Sequence, residues 1–192
     1  MKPLVLGSSS PYRRQLLAQL QIPFETCSPD IDETAHQDEK AEGLVLRLAK
    51  EKALAVARKF PECLIIASDQ VAVVNNTILG KPHNFENACQ QLSIASNNTV
   101  IFYTSLCVLN AQTGFSQIDV ELTEVKFRTL SEEQIKRYLQ QDEPYNCAGS
   151  FRCERLGITL FESIHSNDPN ALIGLPLIKL TTFLTNEGIE LY

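Results

Sequence analysis

Leu4-Val5-Leu6-Gly7 passes through a small polar turn, Ser8-Ser9-Ser10, straight into Pro11 to Leu20, where Leu16, Leu17 and Leu20 recur at helical spacing. The apolar run predicts a buried strand and the spaced leucines predict a helix. A strand handing directly to a helix is the opening of an α/β layer. Pro11 suits the first helical turn, and Ser10 before it suits the cap. The turn also offers free backbone N–H groups, hydroxyls and the two arginines Arg13 and Arg14, a combination that attracts phosphate. An ordinary capped helix with two solvated arginines fits the same residues.

Further along, Asp38 to Lys59 predicts a long amphipathic helix, with Leu44, Leu48 and Ala55 on one face. Leu64 to Ser68 reads as a buried strand, and Val71 to Leu79 as a hairpin turning at Asn75-Asn76. Glu86 to Ser96 predicts a helix and Asn98 to Leu109 a β-rich run. Gln117 to Arg128 alternates apolar and polar residues, as a half-exposed antiparallel strand does. Ser131-Glu132-Glu133-Gln134 opens another helix with a capping pattern. Ile158 to Phe161 reads as a strand, and Ala171 to Asn186 as a closing helix interrupted near Gly174 and Pro176. No linker, repeat or low-complexity stretch divides the chain, so a single domain over 1–192 with a mixed sheet is expected.

At 192 residues the chain can bury roughly 70% of its unfolded surface, enough for one full core or two intimate lobes. Its net charge of −6 argues against a nucleic-acid polymer as partner, because such binding leans on broad cationic surfaces. A small anionic ligand needs only a local cluster of Lys and Arg. The first residues lack the charged-then-apolar export pattern, and no apolar run approaches a membrane span. Six cysteines without Cys-x-x-Cys spacing then read as reduced thiols of a cytoplasmic protein. Three histidines at unrelated positions do not make a His-based zinc site, and no Gly-x-Ser-x-Gly elbow is present.

Candidate chemistry gathers at a few positions. Asp69 follows the strand Leu64–Ser68, and ligands of open α/β sheets collect at carboxyl ends of strands. A carboxylate there serves as metal ligand, general base or turn cap. Lys81 stands between Gly80 and Pro82, whose restrained backbone helps fix an ammonium on a phosphate; a solvated turn lysine is the alternative. Lys52 lies along the stripe of Leu44 and Leu48, where it either snorkels to solvent or serves a site. Asp32-Glu33 opens a polar stretch after Pro29. A phosphate-type turn, two lysines and carboxylates suited to Mg²⁺ or Mn²⁺ form a coherent set.

In this order the segments resemble the Maf nucleoside triphosphate pyrophosphatases over essentially the whole chain. The likeness rests on Ser8-x-Ser10-Pro11-x-Arg13 with Leu16-Leu17, on Asp32-Glu33, on Glu51-Lys52-Ala53, and on Asp69. It continues through Gly80-Lys81-Pro82, Glu143-Pro144, Ala148-Gly149-Ser150 and Gly174-Leu175-Pro176-Leu177. The resemblance implies an elongated mixed sheet flanked by helices, with a cleft between two lobes, as in the inosine triphosphatase-like (Maf/Ham1) fold. It implies hydrolysis of a nucleoside triphosphate to a monophosphate and diphosphate with a divalent cation, Mg²⁺ or Mn²⁺. Asp69 becomes the general base, Glu33 and Asp69 the metal ligands, and Ser8, Arg13, Lys52 and Lys81 the triphosphate's partners. Family members are often dimers, which makes a homodimer an expectation.

Three positions depart from the commoner family pattern. Tyr12 stands where an arginine is usual, Gln70 where a threonine follows the aspartate, and Glu154 where a glutamine is usual. These substitutions resemble the YceF-like branch, associated with 7-methyl-GTP. A 7-methylguanine ring is cationic, so it gains from an aromatic face and a nearby carboxylate. Glu154 also offers acceptors to guanine N1–H and its amine. The rival expectations are dTTP, UTP or another modified nucleotide as substrate, or a nucleotide-binding regulator of cell division without catalysis. Ser96-Asn97 and Thr104-Ser105 replace the family's usual Ser-Gly and Thr-Gly, a departure the sequence leaves without a reason.

Overall fold

A computed structural model describes residues 2–191. The chain forms β1 (Leu4–Leu6), α1 (Pro11–Ala18), β2 (Phe24–Thr26), α2 (Ala41–Ala57), β3 (Leu64–Ala67) and the hairpin β4 (Gln70–Val74) and β5 (Thr77–Leu79). Then come α3 (Phe85–Ala95), β6 (Thr99–Asn110), β7 (Ser116–Phe127), α4 (Glu132–Asp142), β8 (Phe161–Ser166) and α5 (Leu177–Asn186). Two compact units result. One gathers the residues through Asp69 with Thr104–Glu121 and the segment from Asp168; the other holds Gln70–Tyr103 and Leu122–Asn167.

In the first unit the strand order is β2-β1-β3-β6. β1 runs parallel to both β2 and β3, while β3 pairs antiparallel with β6, Leu64 opposite Asn110 and Ala67 opposite Cys107. The sheet is therefore mixed. Its central strands are apolar on both sides because both faces are covered. Leu4, Leu6, Leu64, Ile66, Leu106 and Val108 pack on one face with residues of α1 and α5, such as Leu17 and Leu180. Val5, Ile65, Ala67, Cys107 and Leu109 meet Ala49, Ala53 and Val56 of α2 on the other. The buried stripe of α2 is Leu44, Val45, Leu48, Ala49, Lys52, Ala53 and Val56, two adjacent rows of i, i+4 neighbours. Ala55, expected on that stripe, falls in the row beside them with Arg47 and Glu51 and is only half-buried.

In the second unit β6 continues the order as β6-β4-β5, and β7 pairs with β6 and β8. The hairpin turns at Asn75 and Asn76, with φ of 48° and 62°, the left-handed pair that a tight hairpin of this twist requires. The capping pattern of α4 is realised in both directions between Ser131 and Gln134. Phe102, Phe127, Phe151 and Phe161 form an edge-to-face cluster with centroids 4.8–5.6 Å apart.

Two expectations change. Residues 156–160 form a 3₁₀ turn rather than a strand, and β8 begins where that strand was to end, with Phe161 opposite Phe127. The chain folds back through Arg155 N donating to Arg152 O at 3.2 Å and Ile158 N to Arg155 O at 3.3 Å, and glycine permits it, because a Cβ on residue 157 would lie 2.4 Å from the Arg152 carbonyl oxygen. β7 alternates as expected, but with Glu121, Thr123, Val125 and Phe127 inward and Ile118 and Leu122 exposed. One uninterrupted strand has one phase, and Val125 and Phe127 decide it. Glu121 is then buried with Lys179 Nζ 3.4 Å away. Among the described residues no helix is long and apolar enough to cross a membrane.

Candidate active site

The opening turn folds as its residues require. Ser10 caps α1, its Oγ accepting from Arg13 N at 3.4 Å, with Pro11 at the first helical position. Ser8 Oγ accepts from Ser10 N at 3.1 Å and so tightens the turn. Arg13 thereby leaves the first turn of α1, and its Nε donates to Gly174 O at 2.8 Å. Ser68 Oγ donates to the same carbonyl at 2.9 Å. Gly174 has φ of 127° and a missing Cβ that would lie 3.4 Å from Arg13 Nε, so glycine alone suits both the backbone and the guanidinium.

At the end of β3, Asp69 is held by its backbone. Its N–H donates to Ser105 Oγ at 3.0 Å, its carbonyl accepts from Ser105 N at 2.9 Å, and Ser105 Oγ donates to Val45 O of α2 at 2.7 Å. Ser105 thus straps strand to helix. Neither it nor Ser68 was singled out as a site residue from the sequence. The signal for Ser105 was the unexplained Thr104-Ser105 pair, and this strap accounts for its serine.

Lys52 does not snorkel. Its ammonium turns inward, 2.5 Å from Asp69 Oδ1 and 2.8 Å from Glu33 Oε1. Glu33 reaches it from the polar loop before α2 and keeps 54% of its side chain exposed. That loop is tied to α2 by Arg47, which donates to Glu39 at 2.7 and 2.8 Å and to Thr34 O at 3.0 Å. This bidentate pairing holds the Glu39 carboxyl far below the usual range, at about 2. Desolvation pulls the Arg13 guanidinium below its ordinary pKa, while the charges of Asp69 and Glu33 oppose that shift. Two cations and two carboxylates therefore share one centre with no net charge.

The first unit accordingly gathers Arg13, Glu33, Lys52 and Asp69, with Ser8 in the turn that starts α1 and Tyr12 half-buried beside Arg13. The remaining candidates belong to the second unit. Gln70 begins β4, Lys81 is exposed in a segment that α3 holds through Asn87 and Gln91, and Glu154 is exposed on a turn after Phe151. No group of three or more His, Cys, Asp or Glu side chains suited to a metal occurs among the described residues. Two carboxylates converging on one cation do suit Mg²⁺, which binds through one or two carboxylates plus substrate phosphates rather than in an all-protein cage.

A mixed sheet covered on both faces, with a carboxylate at a strand's end meeting a helix lysine and an arginine beside a capped turn, defines an α/β protein equipped for phosphate chemistry. The chain belongs to the Maf family: the profile of the Maf-like proteins matches residues 3–187. A protein of Nitrosococcus oceani named 7-methyl-GTP pyrophosphatase is 56% identical over 96% of this chain and 93% of its own. Proteins of the same name from Alcanivorax borkumensis and Pseudomonas fluorescens are 55% and 54% identical over 98% and 99% of this chain, and 95% and 99% of their own. Among solved structures, a HAM1 protein from Coxiella burnetii matches with a TM-score of 0.54 at 14% identity, over 97% of this chain and all of that one. The Ham1 protein of Staphylococcus aureus gives 0.53 at 13% identity over the same shares. The expected likeness to the Ham1 fold therefore holds.

Proposed function

We propose that this protein hydrolyses 7-methyl-GTP to 7-methyl-GMP and diphosphate. The observation that carries the reading is near-full-length identity above one half with proteins named for that activity. The Lys52–Asp69–Glu33 centre supports it, because a bare nucleotide-binding regulator has no use for a strand-end carboxylate held this firmly.

In this reading Asp69 accepts a proton from the attacking water. Arg13, Lys52 and Lys81 pair with the phosphate oxygens, and Ser8 and the α1 N-terminus add donors. Asp69 and Glu33 would hold Mg²⁺ or Mn²⁺ together with phosphate oxygens, and such a cation supplies charge neutralisation on the phosphates and acidifies bound water. Lys52, whose ammonium pairs with both carboxylates, would also serve a phosphate oxygen held beside them. Tyr12 offers an aromatic face and Glu154 a carboxylate to the cationic base, with Gln70 as a third selectivity position. The acidic net charge favours a free nucleotide over a nucleic-acid polymer. The family resemblance adds one domain over the chain and a homodimer, and six cysteines without Cys-x-x-Cys spacing fit a cytoplasmic setting.

The test is pyrophosphate release from a panel of 7-methyl-GTP, GTP, dTTP and UTP with Mg²⁺ or Mn²⁺. The expected result is a preference for 7-methyl-GTP and dependence on the cation. Preference for dTTP or UTP would overturn the substrate, and no release from any triphosphate would overturn the reaction.

A further inference from the structure

The turn that carries Glu154 is built in an unusual way. Arg152 to Arg155 forms it, closed by Arg155 N donating to Arg152 O at 3.2 Å, with Cys153 and Glu154 at its corners. Both arginines flanking the corners turn back to one carboxylate. Asp142, at the end of α4 with 2% of its side chain exposed, has Arg155 Nε at 3.3 Å and Arg152 Nη1 at 3.9 Å from Oδ1. Its other oxygen, Oδ2, accepts from Tyr138 OH at 2.9 Å. Tyr138 OH in turn accepts from the backbone N–H of Arg152 at 3.1 Å. Arg152 Nη2 donates to Glu143 O at 2.9 Å, satisfying a carbonyl at the helix end where a cation is favoured.

Two more contacts complete the anchorage. Phe151 enters the aromatic cluster with Phe102, Phe127 and Phe161. Gly157 admits the Arg152 carbonyl where any side chain would collide. The turn is thus fixed before, within and after its corners, yet Glu154 itself stays exposed. The Cys153 thiol, 3.6 Å from Glu154 Oε2, is pushed up to about 12 by burial and by that carboxylate's charge.

The charges matter as much as the geometry. Arg152 and Arg155 lie two and one residues from Glu154, and unpaired they would draw its carboxylate away or repel a cationic base. Asp142 supplies the compensating charge from below, which leaves the carboxylate of Glu154 available to a ligand. We propose that Asp142 and Tyr138 are positioning residues for nucleobase recognition, holding the Arg152–Arg155 turn so that Glu154 is presented as an anion to a cationic base. The proposal rests on the 7-methyl-GTP reading and on Glu154 as the base's carboxylate.

The test compares kcat/KM for 7-methyl-GTP and GTP in wild type, Glu154→Gln, Asp142→Asn, Tyr138→Phe and the Asp142→Asn/Glu154→Gln pair, with Tm for each. Glu154→Gln is expected to lower the 7-methyl-GTP to GTP ratio by about tenfold. Asp142→Asn should lower the same ratio by about fivefold or more while GTP turnover changes less than about twofold, and the double variant should lose no more than Glu154→Gln alone. Tyr138→Phe keeps the ring and the carboxylate, and should move the ratio in the same direction by a smaller factor even if Asp142→Asn does not fold. If Glu154→Gln shifts the ratio and neither Asp142→Asn nor Tyr138→Phe does, or if those two lower both substrates equally, the positioning role is wrong and the base reading stands. If Glu154→Gln leaves the ratio at its wild-type value, the base reading fails and the positioning role with it.

Discussion

Lys52 Nζ and Asp69 Oδ1 are 2.5 Å apart, and only 6% and 11% of their side chains reach solvent. One residue comes from the buried stripe of a helix and the other from the end of a central strand, so the pair exists only because α2 lies against β3. A paired ammonium there offsets the cost of burying a carboxylate, which alone would be severe. Glu33 makes the lysine the shared counter-ion of two acids.

Asp69→Asn keeps shape and removes the charge. It should fold, because Ser105 holds the backbone of residue 69 rather than its carboxylate. Its kcat should fall by about 10²-fold or more, measured as pyrophosphate release from protein whose circular dichroism matches wild type. Unchanged turnover would remove Asp69 from the chemical step.

Lys52→Met leaves Asp69 and Glu33 facing each other without their cation. Breaking a buried pair in this way should cost about 3 kcal/mol of stability, read from urea denaturation. The Lys52→Met/Asp69→Asn pair should recover part of that loss.

Residues proposed to hold the triphosphate should be blind to the base. Arg13→Ala and Lys81→Ala are each expected to lower kcat/KM for 7-methyl-GTP and GTP by the same factor, about tenfold or more. Tyr12→Arg, which sets a like charge where an aromatic face was, should instead depress 7-methyl-GTP selectively. Side-by-side kinetics on these nucleotides separates the two kinds of residue.

Ser105→Ala removes the strap between Asp69 and Val45 inside a buried site and leaves their backbone groups short of a partner. The expected loss is about 1–3 kcal/mol, seen as a lowered Tm, with a fall in kcat through displacement of Asp69.

The loop carrying Glu33 should respond to acid. The Arg47 pairing lowers the folded-state Glu39 carboxyl from its ordinary 4.5 to about 2, so the ionised form is favoured by folding. Its contribution is complete above the ordinary value and is lost as pH falls from there toward about 2. The difference in urea midpoint between wild type and Glu39→Gln should therefore be constant from about pH 7 to about pH 5 and shrink below that.

Much of the fold was legible because its signals are local. A capping box at Ser131, an Asn-Asn hairpin turn at 75–76 and the apolar run Leu64–Ala67 each carry their own instruction. The strand expected at Ile158–Phe161 gives way to a turn closed by backbone bonds from Arg155 to Arg152 and from Ile158 to Arg155, a crowded path that Gly157 permits and that no propensity reveals. The phase of β7 likewise depends on which residues meet the core, and Ile118 and Leu122 are as apolar as those chosen. Residue types raised Arg13, Glu33, Lys52 and Asp69 beside plainer readings such as solvated arginines, loop charges, a snorkelling lysine and a turn cap, and the resemblance to the Maf pattern gave them their expected roles. Their common meeting point was not in the sequence. Lys52 at a buried helix position reads as a snorkelling side chain until the packing of α2 on β3 turns it inward. The same holds for Ser105, Gly174, Tyr138 and Asp142, whose partners are distant in sequence or chosen by a turn's path. Period and capping depend on neighbours a few residues apart, whereas charge pairing and straps depend on which surfaces the core brings together.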